Sequence, residues 1–440
     1  MANFSDREAF IPYRRADLIR ICIEDGKLSS DDSKQFSHFC EILNAYFHFR
    51  FQRRLEDLKN NFAPIDPDAD TETLHAPDPT KQATMEEHLV NDFVAVLESA
   101  NYEKLSEEAL QEAFQEESLI PLNTHVDFED YEPGRVIFYH RGAREETVKT
   151  KRFFKTVERR FDAFERVVLM IKFKAKPHFD AKKMVTERLH FTPGKMYVYL
   201  YKKIPKFDLD ILFPNVNVSM NWKDMIKFGV PAVGALVPIA VKTLPNLILL
   251  AGIVVFFTMG PAAAAKWGTS EESMNNLFPI LTAILSAGAM LGGYAFKQYM
   301  NYKNKRLKFL KNVTDTLFFK NLDCNAGVFH RLVDEAEEEE TKEIILVYYF
   351  LLTHDGLTKE EIDDLIEKWI EEKFHHRLDF NVDKAFGNLR LLQANNGSGN
   401  RSILRVSTDG RCHVLGIQEA KSLIDYLWDN IFSYNRDLAV

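Results

Sequence analysis

Leu277–Phe296 reads LFPILTAILSAGAMLGGYAF, twenty residues without a charge. As an α-helix such a run spans roughly 30 Å, about the thickness of a bilayer's hydrocarbon core. Upstream, Thr243–Met259 (TLPNLILLAGIVVFFTM) is also uncharged, and the short turn Gly260–Asn276 between them holds Pro261, Gly268 and the polar run Thr269-Ser270-Glu271-Glu272. The expectation is a transmembrane hairpin with both chain termini on one side. Basic residues near the ends of the spans set its orientation. Lys223, Lys227 and Lys242 precede it, Lys297, Lys303, Lys305, Arg306, Lys308 and Lys311 follow it, and the turn has only Lys266. Both flanks are therefore expected on the cytoplasmic face of a prokaryotic inner membrane, with an organellar membrane as the alternative. Tyr294, Tyr299, Tyr302 and Trp267 fall where interfacial anchors would sit. Gly288 and Gly292 form a small-xxx-small helix-packing face, within the hairpin or between protomers. A buried hairpin in a large globular core is the competing reading, and the mean hydropathy of -0.25 fits it; the length of the uncharged run favours the bilayer.

Working outward, Phe228–Lys242 (FGVPAVGALVPIAVK) carries Pro231 and Pro238, with Pro245 seven residues on. Each proline removes an amide donor from a helix. A broken, re-entrant or interfacial segment is expected there rather than a third crossing. Further upstream, three segments read as strands by their β-branched and aromatic content: Val136–His140, Val167–Phe173 and Met196–Tyr201. Thr147–Glu165 between the first two reads as a helix. Lys149–Lys206 holds seventeen Lys and Arg against five Asp and Glu, which favours a surface facing anionic lipid. Lys202, Lys203, Lys206, Lys303, Lys305 and Arg306 are the membrane-surface candidates.

The first part of the chain, to about Ser118, reads as helical. Pro12 opens a helix that stops at Gly26. Asp31–Asn60 has Phe36, Phe39, Cys40, Leu43, Phe47 and Phe51 at helical spacing, with a basic tail of Arg50, Arg53 and Arg54. Pro64–Pro79 reads as a linker, and Met85–Ser99 and Ser106–Glu117 as two further helices.

Beyond the hairpin, Lys303–Asn321 reads as a basic helix and Asp334–Glu340 as an acidic run leading into a last module. That module reads as helices Lys342–Thr353, Thr358–Phe374 and Val382–Gln393, strands Ile403–Ser407 and Arg411–Leu415 about a Thr408-Asp409-Gly410 turn, and a final helix Ile417–Phe432. Thr358 with Glu361 three residues on is a capping-box signature. The order is winged-helix-like, yet from Asp334 onward 22 acidic residues face 12 basic ones. Phosphate repulsion then argues against duplex binding and for a protein partner.

The fold expected is thus an α+β integral membrane protein. Its parts are an N-terminal helical region (1–118), a basic α+β region (119–222), the proline-interrupted segment with the transmembrane hairpin (223–300), a basic connector helix (301–333) and the winged-helix-like module (334–440).

Three motifs, KKIPKFDLDILFP from Lys202, REAFIPYRRADL from Arg7 and KFGVPAVGALVP from Lys227, resemble the uncharacterised family that includes animal transmembrane protein 143. The resemblance implies a membrane protein carrying a domain of unknown function, associated with mitochondria in animals, and implies no reaction. Arg14, Arg15, Asp17, Pro205, Asp208 and Pro214 stand at positions that match the family pattern. The start of this chain, lacking a presequence, favours a prokaryotic member.

Few residues point to chemistry. Cys22, Cys40, Cys324 and Cys412 form no CxxC pair and fit a reducing compartment. There is no GxxxxGK[ST] loop, HExxH helix or GxSxG elbow. His375 and His376 are adjacent, which points them to different helix faces. Asp127, Glu129, Asp130 and Glu132 near His125 and His140 offer a divalent-metal reading, outweighed by that of a solvated loop. No cofactor, metal or catalytic residue is assigned. Arg14 and Arg15 are the anion- or phosphate-binding candidates, with structural ion pairing as their competing role. The function expected is a non-catalytic membrane-associated scaffold or sensor with cytoplasmic domains. Its partners would be anionic lipids, proteins, or a second copy bound through the hairpin. The alternatives are a membrane-anchored enzyme acting on lipid or a phosphorylated metabolite, and an oligomeric channel or transporter component.

Overall fold

A computed structural model describes residues 8–71, 74–106, 110, 123–152, 155–184, 189–219, 251, 254, 255, 258–260, 277–354, 356–395 and 400–432. The chain divides into two units, one made of 1–113, 128–209 and 320–440, the other of 114–127 and 210–319.

The first unit is built around helices and one antiparallel sheet. Helix α1 is Arg15–Glu24, α2 Ser30–Phe62 and α3 Pro79–Ser99. Ser29 caps α2 by accepting the Asp32 amide at 3.1 Å, and Asp31 and Asp32 complement the dipole in its first turn. Phe36, Phe39, Leu43, Phe47, Phe51, Leu55 and Leu58 recur every three or four residues and are buried, so α2 presents one apolar stripe to the core. Asp78 caps α3 through the Thr80 and Lys81 amides, with Pro79 at the first helical position.

The sheet contains β1 (Glu103–Lys104), β3 (Tyr131–Arg152), β4 (Lys155–Phe173), β5 (Met196–Pro205) and β7 (Asn321–Cys324), in the order β1-β3-β4-β5-β7. β3 and β4 form one long hairpin paired from Tyr131↔Phe173 to Arg152↔Lys155. Thr147–Glu165 is therefore strand, where its spacing suggested a helix. Thr147, Val148, Thr150, Thr156 and Val157 are β-branched, and their pairing simply continues the register of the apolar part of the hairpin. A short helix, α4 (Lys176–Ala181), follows β4.

The remaining elements of this unit are α6 (Ala326–Thr353), α7 (Lys359–Phe374), α8 (Val382–Leu391) and α9 (Ile417–Asp429), with the small hairpins β8–β9 (Gln393–Asn395, Asn400–Ser402) and β10–β11 (Leu404–Val406, Cys412–Val414). α7 has its capping box, Thr358 with Glu361. α6 is buried on nearly every face from Ala336 to Leu351. Its Tyr348 stacks on Phe39 of α2 with ring centroids 4.1 Å apart and donates its hydroxyl to Leu415 O at 2.9 Å. One hydrophobic core joins residues of α1, α2, α3, the sheet and α6–α9.

The second unit contains β2 (Asn123–His125) paired with β6 (Asn217–Ser219), and α5 (Leu277–Lys320) up to Phe319. Here the structure corrects the sequence. Among the described residues no helix is long and apolar enough to cross a membrane. This overturns the integral-membrane fold, its transmembrane helices and the inner-membrane or organellar-membrane location. The uncharged run 277–296 is less than half of the 44-residue α5, which continues without a break through Lys297, Lys303, Lys305, Arg306, Lys308 and Lys311. Pro279, Thr282, Ser286 and three glycines also dilute it. Of Thr243–Met259 only residues 251, 254, 255, 258 and 259 are described. The Phe228–Lys242 segment and most of Ser106–Glu117 lie outside the described residues.

Candidate functional site

The middle of α6 reads DEAEEEETKE, Asp334–Glu343. A run of that composition belongs on a solvated face, yet Glu337, Glu339, Glu340, Thr341, Lys342 and Glu343 are all buried. Burying a charge demands a partner, and the surrounding elements supply them.

Before α1, the segment Glu8–Tyr13 crosses this belt as a strap. The Ile11 amide donates to Glu339 Oε2 at 3.1 Å, and Lys342 Nζ donates to Ile11 O at 2.7 Å and Tyr13 O at 3.2 Å. Lys342 is also ion-paired with Glu339 one turn back. From α1, the Arg15 amide donates to Glu338 at 2.8 Å and its guanidinium to Thr341 Oγ1 at 3.0 Å, with Glu337 at 3.6 Å. From α2, His48 Nδ1 lies 2.8 Å from Glu337. Ser99, at the end of α3, donates to Glu340 at 2.5 Å, and Asn101 donates to Glu343 at 3.0 Å. Lys384 of α8 lies 3.4 Å from Glu343 and donates to Asn101 Oδ1 at 2.9 Å. Tyr102 donates to Glu335 at 2.9 Å.

Arg141 of β3 closes the ring. Its guanidinium lies 3.0 Å from Glu335, donates to Ala100 O at 2.9 Å, and sits over the rings of Phe10 and Tyr102 at 4.0 and 4.6 Å. Burial pushes the Glu343 carboxyl up to about 7 against the pull of Lys384. Its Oε2 has no hydrogen-bond partner among the described residues. Burial also raises Glu339, against the pull of Lys342.

On the outer side of Arg141 a cleft of about 430 Å³ opens. Arg144 of β3, Arg166 of β4, and His376 and Arg377 after α7 line it, together with Glu8, Phe10, Pro12 and Glu165. Gly142 lies between the two β3 arginines at φ +75°, and a Cβ there would meet Glu165 Cβ at 2.7 Å. Only glycine allows both that backbone and that approach of β3 to β4. Arg144 pairs with Glu165 at 3.1 Å, Arg377 with Glu371 at 3.1 Å, and the Ala143 amide donates to Glu8 at 2.6 Å. Arg166 donates through Nη1 to Glu165 O at 3.0 Å, while its Nε is buried without an acceptor among the described residues. Guanidinium groups in a partly closed site are suited to bidentate recognition of carboxylate or phosphate.

The residues singled out in the sequence fall in several places. Arg14 is exposed as the N-cap of α1 and lines a neighbouring hollow of about 240 Å³ with Tyr13, Arg141, Glu335 and Glu338. Arg15 turns into the acidic belt instead, so the pair does not converge on one point. Lys202 and Lys206 are half-buried and Lys203 is exposed around the end of β5, while Lys303 and Arg306 are exposed on α5, the helix that also holds Lys305. A Cβ built at Gly288 or Gly292 meets nothing within 4 Å. Asp130 is buried beside Lys182 at 2.7 Å and His178 at 3.2 Å, and Glu132 pairs with Lys172 at 3.0 Å. Among the described residues no group of three or more His, Cys, Asp or Glu is placed to hold a metal ion. Arg141, Arg166 and Arg377 were not legible as a set, because more than 200 residues separate the last two and no spacing links them.

Residues 164–327 match a family model described as "Protein of unknown function (DUF3754)". The match takes in most of the apolar half of β4 with Arg166, then β5, α5 and the start of α6. No solved structure matches the chain.

Proposed function

We propose that this chain is a non-catalytic sensor that binds a small anionic ligand in the arginine cleft, with the strap Glu8–Tyr13 reporting occupancy. One observation carries the reading. Guanidinium groups from β3, β4 and the segment after α7 meet in one cleft, and Arg166 keeps a buried donor that no acceptor among the described residues meets. Functional groups drawn from distant stretches into one concavity mark a binding site more strongly than a local run does. The strap borders both cleft and belt: Glu8 touches β3, and Ile11 touches Glu339. A ligand that competes for Arg144 or displaces Glu8 shifts the strap in proportion to its preference for one arrangement.

Titration of the full chain with inorganic phosphate and with succinate, by calorimetry, tests this. Saturable binding is expected for at least one of them, weakened tenfold or more by Arg166→Gln and less by the exposed Arg377→Ala. Hydrogen exchange at the strap amides is expected to change on binding. Failure of both anions to saturate at millimolar concentration, or binding untouched by both variants, defeats the reading.

The enzyme alternative draws support from His376 and Glu165, two groups able to carry a proton that line the same cleft as the arginines. It requires His376→Ala to remove turnover of a phosphate ester while leaving its binding intact. The KKIPKFDLDILFP stretch lies inside the matched 164–327 span, and it supports, as a proposal, kinship with the family that includes animal transmembrane protein 143.

A further inference from the structure

A second charged concavity lies on α2, separate from the arginine cleft. Arg50, Arg53 and Arg54 occupy one helical face, with Phe47 and Phe51 beneath them. α8 supplies the opposite wall with Asn388 and Leu391, and Glu340 of α6 closes the inner end. The concavity, open to solvent on one side, has a volume of about 260 Å³.

The ordinary role of such arginines is pairing along a solvated helix. The same chain shows that behaviour in Arg20–Asp17 and Lys59–Glu56, each at about 3.0–3.1 Å. Asp57 also lines the concavity, one turn from Arg53 and Arg54 and in reach by spacing. Yet among the described residues none of the three arginines makes an ion pair or hydrogen bond. Two of them lie within cation–π range of rings instead: Arg50 near Tyr46 and Phe47 at 5.9 and 5.6 Å, Arg54 near Phe51 at 5.6 Å. A cation–π contact attracts a guanidinium to the ring face without using up its N–H donors.

The inner end has the opposite chemistry. Glu340 is buried and already accepts from Ser99 at 2.5 Å, and its carboxylate together with the Asn388 amide offers hydrogen-bond acceptors and donors near the floor. A negative floor under a positive rim orients a ligand whose anion stays at the rim and whose hydroxyl groups point inward. The volume is below the usual range for drug-sized ligands, so the ligand is a phosphate group with a few further heavy atoms.

We infer that this concavity is a binding site for a small hydroxylated phosphate monoester, held at its phosphate by Arg50, Arg53 and Arg54 and at its hydroxyls by Glu340 and Asn388. The exposed Arg53 and Arg54 supply the part of the clamp that mutation can remove without touching the core.

The test is calorimetric titration of the full chain with glycerol phosphate, inorganic phosphate and glycerol. Glycerol phosphate is expected to bind at least tenfold more tightly than inorganic phosphate, and glycerol not to saturate. R53A/R54A, with an unchanged circular-dichroism spectrum, is expected to lose at least tenfold in affinity for both phosphates. Asn388→Ala is expected to bring glycerol phosphate down to the level of inorganic phosphate. The same titrations in the Arg166→Gln background, which removes phosphate held in the other cleft, are expected to give the same affinity ratios and the same losses, so failure there is distinguishable from failure here. Absence of saturation by either phosphate at 10 mM (about the weakest affinity of interest), or affinity unmoved by R53A/R54A, overturns the site. Equal affinity for the two phosphates with no effect of Asn388→Ala overturns the hydroxylated ligand class.

Discussion

The acidic belt of α6 and the arginine face of α2 are both dense in charge, but one is closed and the other open. In the belt, nearly every charge has a partner: Glu339 has Lys342, Glu335 has Arg141 and Tyr102, and Glu337 has Arg15 and His48. On α2, three arginines face a concavity and two of them rest on aromatic rings. Paired burial is architecture, since each ion offsets its neighbour's desolvation and little net stability remains. Cations that make no ion pair, although Asp57 and Glu340 line the same concavity, keep their interaction free energy for something else. Mutation should therefore separate the two regions cleanly, with stability responding in the first and ligand affinity in the second.

The largest effect belongs to Lys342. It is 3% exposed, and its ammonium is shared among Glu339, Ile11 O and Tyr13 O. Lys342→Met leaves Glu339 buried and unpaired, which costs about 3–5 kcal/mol in comparable cases. Urea unfolding should show that loss, and K342M/E339M should recover much of it because an apolar pair replaces an ionic one. A cost below about 1 kcal/mol, of the size seen for surface pairs, breaks the distinction between closed and open charge.

A smaller effect, dependent on pH, sharpens the same contrast. Glu343 is held at about 7 by burial, above its ordinary carboxylate value. The folded chain therefore binds a proton more readily than the unfolded one between those two values. Stability from this group is fully present below the unfolded value and is lost as pH rises through about 7. Burial, with the like charges of Glu367, Asp364 and Asp379, lifts Asp363 to about 7 as well, so it adds to the same slope. Glu343→Gln should flatten the decline of the urea midpoint between pH 5 and 8, by on the order of 2 kcal/mol. E343Q/D363N should flatten it further, and a slope unchanged in the double variant would falsify the placement of both groups.

Part of this arrangement was legible in the chain. The apolar spacing of α2 and the Thr358–Glu361 pair fix a buried stripe and a helix start by local rules that tertiary structure does not reverse. One run reads the wrong way round, and the burial of another leaves no trace in its composition. Asp334–Glu343 has the composition of a solvated face, and it is buried because its cations come from Arg15, Arg141 and Lys384, each at least 40 residues away. Leu277–Phe296 has the composition of a span, but hydropathy in a window does not register that the helix continues into seven more basic residues. Thr147–Glu165 failed for a related reason. Its alternating charges fit a helix face and a strand equally, and the hairpin register set by Val167–Phe173 decided between them. The cleft was illegible altogether, since convergence of Arg141, Arg166 and Arg377 is a property of the fold and of no segment.

The smallest effect on stability is expected where the ligand effect is largest. Arg53 and Arg54 are exposed on α2, make no ion pair among the described residues, and lie over a core formed by Phe51, Leu55 and Leu58 that truncation at Cβ leaves in place. R53A/R54A keeps helix-forming residues at both positions, because alanine is at least as favourable as arginine in a helix interior. The ring contact of Arg54 with Phe51 is worth about 0.5–1 kcal/mol at an exposed site, and removal of three-way repulsion among the arginines offsets part of it. The net change in urea stability is then within about 0.5 kcal/mol, the range of ordinary surface substitutions. Such a variant, folded as before yet at least tenfold weaker for phosphate at this concavity, separates open charge from the closed belt in a single protein. A loss approaching that of K342M would mean that the α2 arginines are part of the architecture after all, and the concavity between α2 and α8 a packing defect.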